Sequence, residues 1–133
     1  MNRKIIAAVD DMIFSSKIRA TAEPLAVALK FVSSVEQLML TAAEQKPDLI
    51  VVDLHNQKID SVALAKRLKS SDELKAVTLL GFFSHVETEA KRAALEAGFD
   101  KVIPRSVFTR DLASILQGEV RERLSSNSEA TEE

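Results

Sequence analysis

The chain has 133 residues, 46% of them apolar and 29% charged, with a formal net charge of −2. That is the balance of one soluble globular domain, with no bulk attraction for nucleic acid or anionic lipid. There is no cysteine, which excludes disulfides and thiolate metal sites, and no apolar run approaches the ~18 residues of a membrane span.

Met1-Asn2-Arg3-Lys4 leads straight into the apolar run Ile5 to Val9 rather than into a signal-peptide core, so the cytoplasm is the expected compartment. The run reads as a strand and ends on the acid pair Asp10-Asp11. Met12 to Glu23, with Met12, Ile13, Ser16, Ile18, Ala20 and Ala22, reads as a helix stopped before Pro24, and Leu25 to Val32 as a second strand. Ser33 with Glu36, or Ser34 with Gln37, has capping-box spacing. Val35, Leu38, Met39 and Ala42 then form the stripe of a second helix, which gives way at Pro47. Leu49-Ile50-Val51-Val52 is a run of apolar, mostly β-branched residues, the pattern of a short strand buried on both faces, and it ends on Asp53.

Asp60-Ser61 caps a third helix, with Val62, Ala65 and Leu68 on one face and Leu64 beside it. Ala76 to Phe83 is a fourth strand. Ser84-His85-Val86-Glu87 reads as the capped start of a helix Val86 to Ala97, with Ala90, Ala93, Ala94 and Ala97 on one side and Gly98 at its end. Phe99 to Ile103 is a fifth strand. Ser106 or Thr109 caps a last helix carrying Leu112, Ile115, Leu116 and Val120. Residues 1–124 thus form one domain, and the polar, acidic stretch 125–133 is expected to be a disordered tail.

Strand and helix alternating five times predict a parallel sheet with helices on both faces. In such sheets function collects at the carboxyl edge where the winding reverses, which is where Asp10, Asp11 and Asp53 should meet. A lone carboxylate ending a buried strand is costly, so Asp53 calls for a polar crevice with partners. The glycines stand at 81, 98 and 118, none in the turn Asp10 to Phe14, which argues against a dinucleotide fingerprint or a P-loop. Clustered oxygen ligands instead suit a hard cation such as Mg²⁺. The simpler role for Asp10 or Asp11 is a helix cap, which does not account for Asp53. His55 and His85, unclustered and without cysteine, read as loop and cap residues. The basic groups Lys66-Arg67-Lys69 and Lys91-Arg92 read as solvated helix faces.

Taken together, Asp10-Asp11, the stretch Pro47 to Asp53, Asp60, and the turn Ala97-Gly98-Phe99-Asp100 resemble the receiver domain of bacterial response regulators, the CheY-like family, over about residues 3 to 117. The resemblance implies a flavodoxin-like, doubly wound fold: a five-stranded parallel sheet in the order 2-1-3-4-5 sandwiched by five helices. It further implies that Asp53 is the phosphoacceptor and that Asp10, Asp11, Asp53 and the backbone carbonyl of His55 bind Mg²⁺. The implied partner is a signalling protein such as a histidine kinase, with no role for nucleic acid or a membrane.

Several family positions are changed. The hydroxyl that holds a phosphoryl oxygen is Phe83 by the family's spacing, or Ser84 if the register slips by one, and the pairing lysine is Arg105. The switch aromatic is Val102, the proline after the lysine is Ser106, and the proline after the phosphoacceptor is Gln57. Arginine keeps the charge but is a longer, forked donor. Phe83 is expected to stand over Asp53 and to hinder a phosphoryl group. These departures favour a stand-alone, atypical receiver that presents a surface to a partner, with phosphorylation at Asp53 impaired. The alternative is a working phosphoacceptor that takes a phosphoryl group from a histidine kinase with Mg²⁺ and dephosphorylates itself. An unrelated Mg²⁺-dependent phosphohydrolase is disfavoured, because the acid such enzymes place two positions beyond the nucleophile is His55 here.

Overall fold

In the computed structural model, which describes residues 3–84 and 88–118, the apolar runs become five strands: β1 (Lys4–Ala8), β2 (Ala28–Phe31), β3 (Leu49–Asp53), β4 (Thr78–Phe83) and β5 (Lys101–Pro104). Between and after them lie α1 (Met12–Ala22), α2 (Val35–Gln45), α3 (Ser61–Lys69), α4 (Thr88–Ala97), α5 (Arg105–Arg110) and α6 (Leu112–Gln117). Every strand pairing is parallel, in the order β2-β1-β3-β4-β5, as expected. No helix among the described residues is long and apolar enough to cross a membrane.

The central strand is buried at all its positions, and alternate residues feed two apolar layers. Leu49 and Val51 join Ile5, Ala7, Leu80, Phe82 and Ile103 beneath α1, α5 and α6. Ile50 and Val52 join Ile6, Ala8, Leu79 and Val102 beneath α2, α3 and α4. The first layer holds an aromatic cluster, with Phe82 stacked on Phe108 at 4.7 Å and edge-on to Phe14 at 5.3 Å. Such ring pairs contribute about 0.5 to 1.5 kcal/mol each beyond the area they bury.

Local signals place the helix starts. Ser34 caps α2 by accepting from the Gln37 N–H, and Asp60 caps α3 through the Ala63 N–H. The reciprocal half of the α2 box lands one residue early: Gln37 Oε1 accepts from the Ser33 N–H at 2.9 Å. Gly98 ends α4 at φ +128°, a region that disfavours side chains.

Other expectations need correction. The buried stripe of α1 is Phe14, Ile18 and Ala22, while Met12, Ile13, Ser16 and Ala20 face water. Glu23–Leu25 is a 3-10 turn that Ala26 closes at φ +57°, so β2 starts three residues later than expected. Strands β4 and β5 likewise begin two residues late. On α4, Ala94 is buried but Ala93 is exposed. The last helix starts at once after Pro104, which fixes a compatible φ, and neither Ser106 nor Thr109 is its cap. It breaks at Asp111, a buried acid whose carboxylate is forked by Arg110 and whose backbone leaves helical angles, so six α-helices replace the expected five. Val120, the tail 125–133 and the cap segment 85–87 lie outside the described residues.

Candidate functional site

The register of the sheet brings Asp10, Asp11 and Asp53 to one edge, but not into the single cluster expected of them. Ala8 is paired with Val52 and Asp53 with Phe82, so the chain leaves β1 toward Asp10 and Asp11 beside the end of β3. Asp53 is 7% exposed. Its Oδ1 accepts from the His55 N–H at 2.9 Å, and its carbonyl accepts from the Asn56 N–H at 3.0 Å. The polar crevice expected for Asp53 is thus built partly from the backbone of its own loop. For His55, the contact with Asp53 runs through the N–H.

Asp10 and Asp11 each meet a cation. Lys58 Nζ lies 3.2 Å from Asp10 Oδ1. Arg105 donates to Asp11 Oδ2 at 3.2 Å, and its guanidinium lies over the Phe14 ring at 4.0 Å. Asp11 Oδ1 accepts from the Phe14 N–H at 3.0 Å, which makes Asp11 the cap of α1. The Phe14 N–H, then Arg105, hold the Asp11 carboxyl below its ordinary value of 3.8.

This donor set bears on Mg²⁺ directly. Asp10, Asp53 and a nearby backbone carbonyl are all-oxygen donors of the kind a hard cation prefers, in the number that lets it keep several waters. Asp11 fits less well as a direct ligand, since one oxygen caps a helix and the other holds Arg105. Among the described residues no group of three or more His, Asp or Glu side chains is gathered as a metal cage.

The altered positions sit at the ends of β4 and β5. Phe83 is paired with Pro104, one residue past the partner of Asp53, and its ring packs with the layer that contains Leu54 and Val102. Phe82 belongs to the opposite layer. Because Asp53 is in register with Phe82, it is Phe82 that shares the face of Asp53, which corrects the expectation that Phe83 stands over the acid. Ser84 is exposed in a bend, and Val102 is buried beside Gly81. A side chain at Gly81 would press on Leu54 and Phe99, its Cβ only 3.0 Å from each. The end of β4 is therefore packed tightly by apolar groups. Arg105 pairs with Asp11.

Sequence reasoning missed Asn56 and Lys58, which join the crevice from the β3–α3 loop. Nothing in their local spacing marks them, because their partners lie on the first strand and just beyond it.

Comparisons with known proteins bear on the fold. No family model matches the chain. Response regulator protein VraR of Staphylococcus aureus is 29% identical over 85 residues, which cover 64% of this chain and 40% of that protein. The chain thus spans about 40% of the length of the curated relatives it matches. A putative response regulator from Chloroflexus aurantiacus superposes with a TM-score of 0.78 at 17% identity, over 91% of this chain and 99% of that one. The receiver domain of the sensor histidine kinase PA1611 from Pseudomonas aeruginosa, solved with a magnesium ion in its active-site cleft, gives 0.76 at 18% identity, over 90% and 98%. The chain has the receiver-domain fold of response regulators.

Proposed function

We propose that this receiver-fold chain is an atypical receiver module of two-component signalling, which acts by presenting a surface to a partner protein and in which phosphorylation of Asp53 is impaired. The state of Asp53 carries the reading. The carboxylate is 7% exposed, one of its oxygens is committed to the His55 N–H, and both neighbouring acids are already paired with cations. A phosphoacceptor needs open approach to the attacking oxygen and a neutralised phosphoryl group in line with it. Here approach is restricted, and the β4 residue on the face of Asp53 is Phe82, a buried ring of the first layer with no hydroxyl to hold the incoming group.

Mg²⁺ belongs to the same reading as a weak ligand held by Asp10 and Asp53 with the carbonyl of His55. When bound, it supplies the positive charge that offsets the transferring phosphoryl group. The chain's own part is to orient Asp53 through the His55 N–H and to set Arg105 beside Asp11. The start of α1 favours a partner at this edge. Met12 and Ile13 are 83% and 85% exposed immediately after the acid pair, which is unusual for large apolar side chains standing together.

The test is incubation of the intact chain with acetyl phosphate or phosphoramidate and Mg²⁺, read by intact mass with Asp53→Ala as the blank. Little or no Asp53-dependent gain of one phosphate is expected. Robust labelling of the wild type would replace this reading with that of a working phosphoacceptor.

A further inference from the structure

The loop from Leu54 to Lys58 is fastened to the first strand across the acid crevice. Asn56, 7% exposed, carries the fastening. Its Nδ2 donates to the Ala8 carbonyl at 3.2 Å, and its Oδ1 accepts from the Lys58 N–H at 2.9 Å. Its own N–H donates to the Asp53 carbonyl at 3.0 Å. A buried amide satisfied on both sides holds a loop in one arrangement, because any other leaves polar groups desolvated and unmet. In this arrangement Lys58 Nζ stands 3.2 Å from Asp10 Oδ1.

Resting on the receiver reading above, we propose that Lys58 is a built-in counter-cation of the crevice, which neutralises Asp10 in the absence of a divalent ion and competes with Mg²⁺ for that carboxylate, with Asn56 as the positioning residue that keeps it there. A divalent ion on Asp10 must displace the ammonium, and a lysine left nearby still repels it. Arg105 completes the pattern by taking Asp11. The Lys58 and Asp10 side chains are 59% and 45% exposed, so water screens the pair and the competition is modest. Removing the ammonium should tighten metal binding by about 3- to 10-fold.

Binding of Mn²⁺, used in place of Mg²⁺ and followed by water-proton relaxation, tests this on the whole chain. Lys58→Met should bind about 3- to 10-fold more tightly than the wild type, on the same Coulomb estimate, and Lys58→Arg should stay near it. Asn56→Ala should move toward Lys58→Met while lowering the melting temperature. In metal-free buffer Lys58→Met should melt lower than the wild type and be raised more by added Mg²⁺. Equal or weaker Mn²⁺ binding by Lys58→Met, with Asp10→Asn still abolishing binding, would overturn the role of Lys58 and leave the metal site standing. Absence of Mn²⁺ binding in both the wild type and Lys58→Met would overturn the metal reading and this inference together.

Discussion

The two edges of the sheet use carboxylates in opposite ways. At the amino edge, Asp48 and Asp100 act as clamps: Asp48 Oδ2 accepts from the Lys4 N–H at 2.8 Å while its own N–H donates to the Lys4 carbonyl, and Asp100 does the same with Leu79. Each of these acids locks the entry of one strand to its neighbour. At the carboxyl edge, Asp10 and Asp11 are met by long cationic side chains, and Asp53 by the backbone of a loop. Contacts of that kind can be exchanged for a metal ion without unpairing a strand. What answers an acid at a strand end therefore decides whether it clamps the sheet or stays exchangeable.

That contrast can be broken by mutation. The largest effect is expected from Asp100→Ala, which removes a charge-assisted bond to the Leu79 N–H and an ion pair with Lys69. A loss of about 1.5 to 3 kcal/mol in chemical denaturation should follow, with Mn²⁺ affinity unchanged. Asp53→Asn should act in the other direction. It keeps an oxygen for the His55 N–H and removes a buried charge, so stability in metal-free buffer should rise by about 1 kcal/mol, and stabilisation by Mg²⁺ should shrink. A destabilised Asp53→Asn would place Asp53 among the clamps.

The smallest effect is one of pH. Folding depresses the Asp11 carboxyl from 3.8, first through the Phe14 N–H and then through Arg105. A depressed carboxyl adds stability above its unfolded value and loses it as pH falls through the folded one. The wild type should lose stability from about pH 3.8 downward on this account. Asp11→Asn should flatten that acid limb, and Arg105→Gln should flatten it less. Equal flattening by both would mean that the ion pair, rather than the helix cap, holds Asp11.

The parts of this molecule that were legible in the sequence are those whose cause is local. Leu49 to Asp53 announced a buried strand because β-branched residues follow one another without interruption, and Ser34 and Asp60 announced helix starts because a cap and its N–H lie three residues apart. Asp53 stood out because a carboxylate is out of place at the end of such a strand. The contacts that complete the site span the chain: Asn56 reaches Ala8 across 48 residues and Arg105 reaches Asp11 across 94. No periodicity encodes them. The stripe of α1 was misjudged because Met12 and Ile13 are apolar yet exposed, and the face of Phe83 because it depends on strand register rather than on the count from Asp53. The break at Asp111 depends on its burial and its fork with Arg110, which only the packed fold supplies.

Phosphate incorporation by the wild type, set beside Asp53→Ala and Phe83→Thr in one intact-mass experiment with Mg²⁺ and phosphoramidate, tests most directly whether this chain keeps the acids of a receiver without its response. Phe83→Thr removes a ring packed in the layer of Leu54 and Val102, on the face of the sheet opposite Asp53. It should cost about 1 to 3 kcal/mol of stability, with no hydroxyl brought to the face of Asp53. The predicted result is a wild type left essentially unlabelled, like Asp53→Ala, and a Phe83→Thr chain that stays unlabelled as well. Robust Asp53-dependent labelling of the wild type would contradict it.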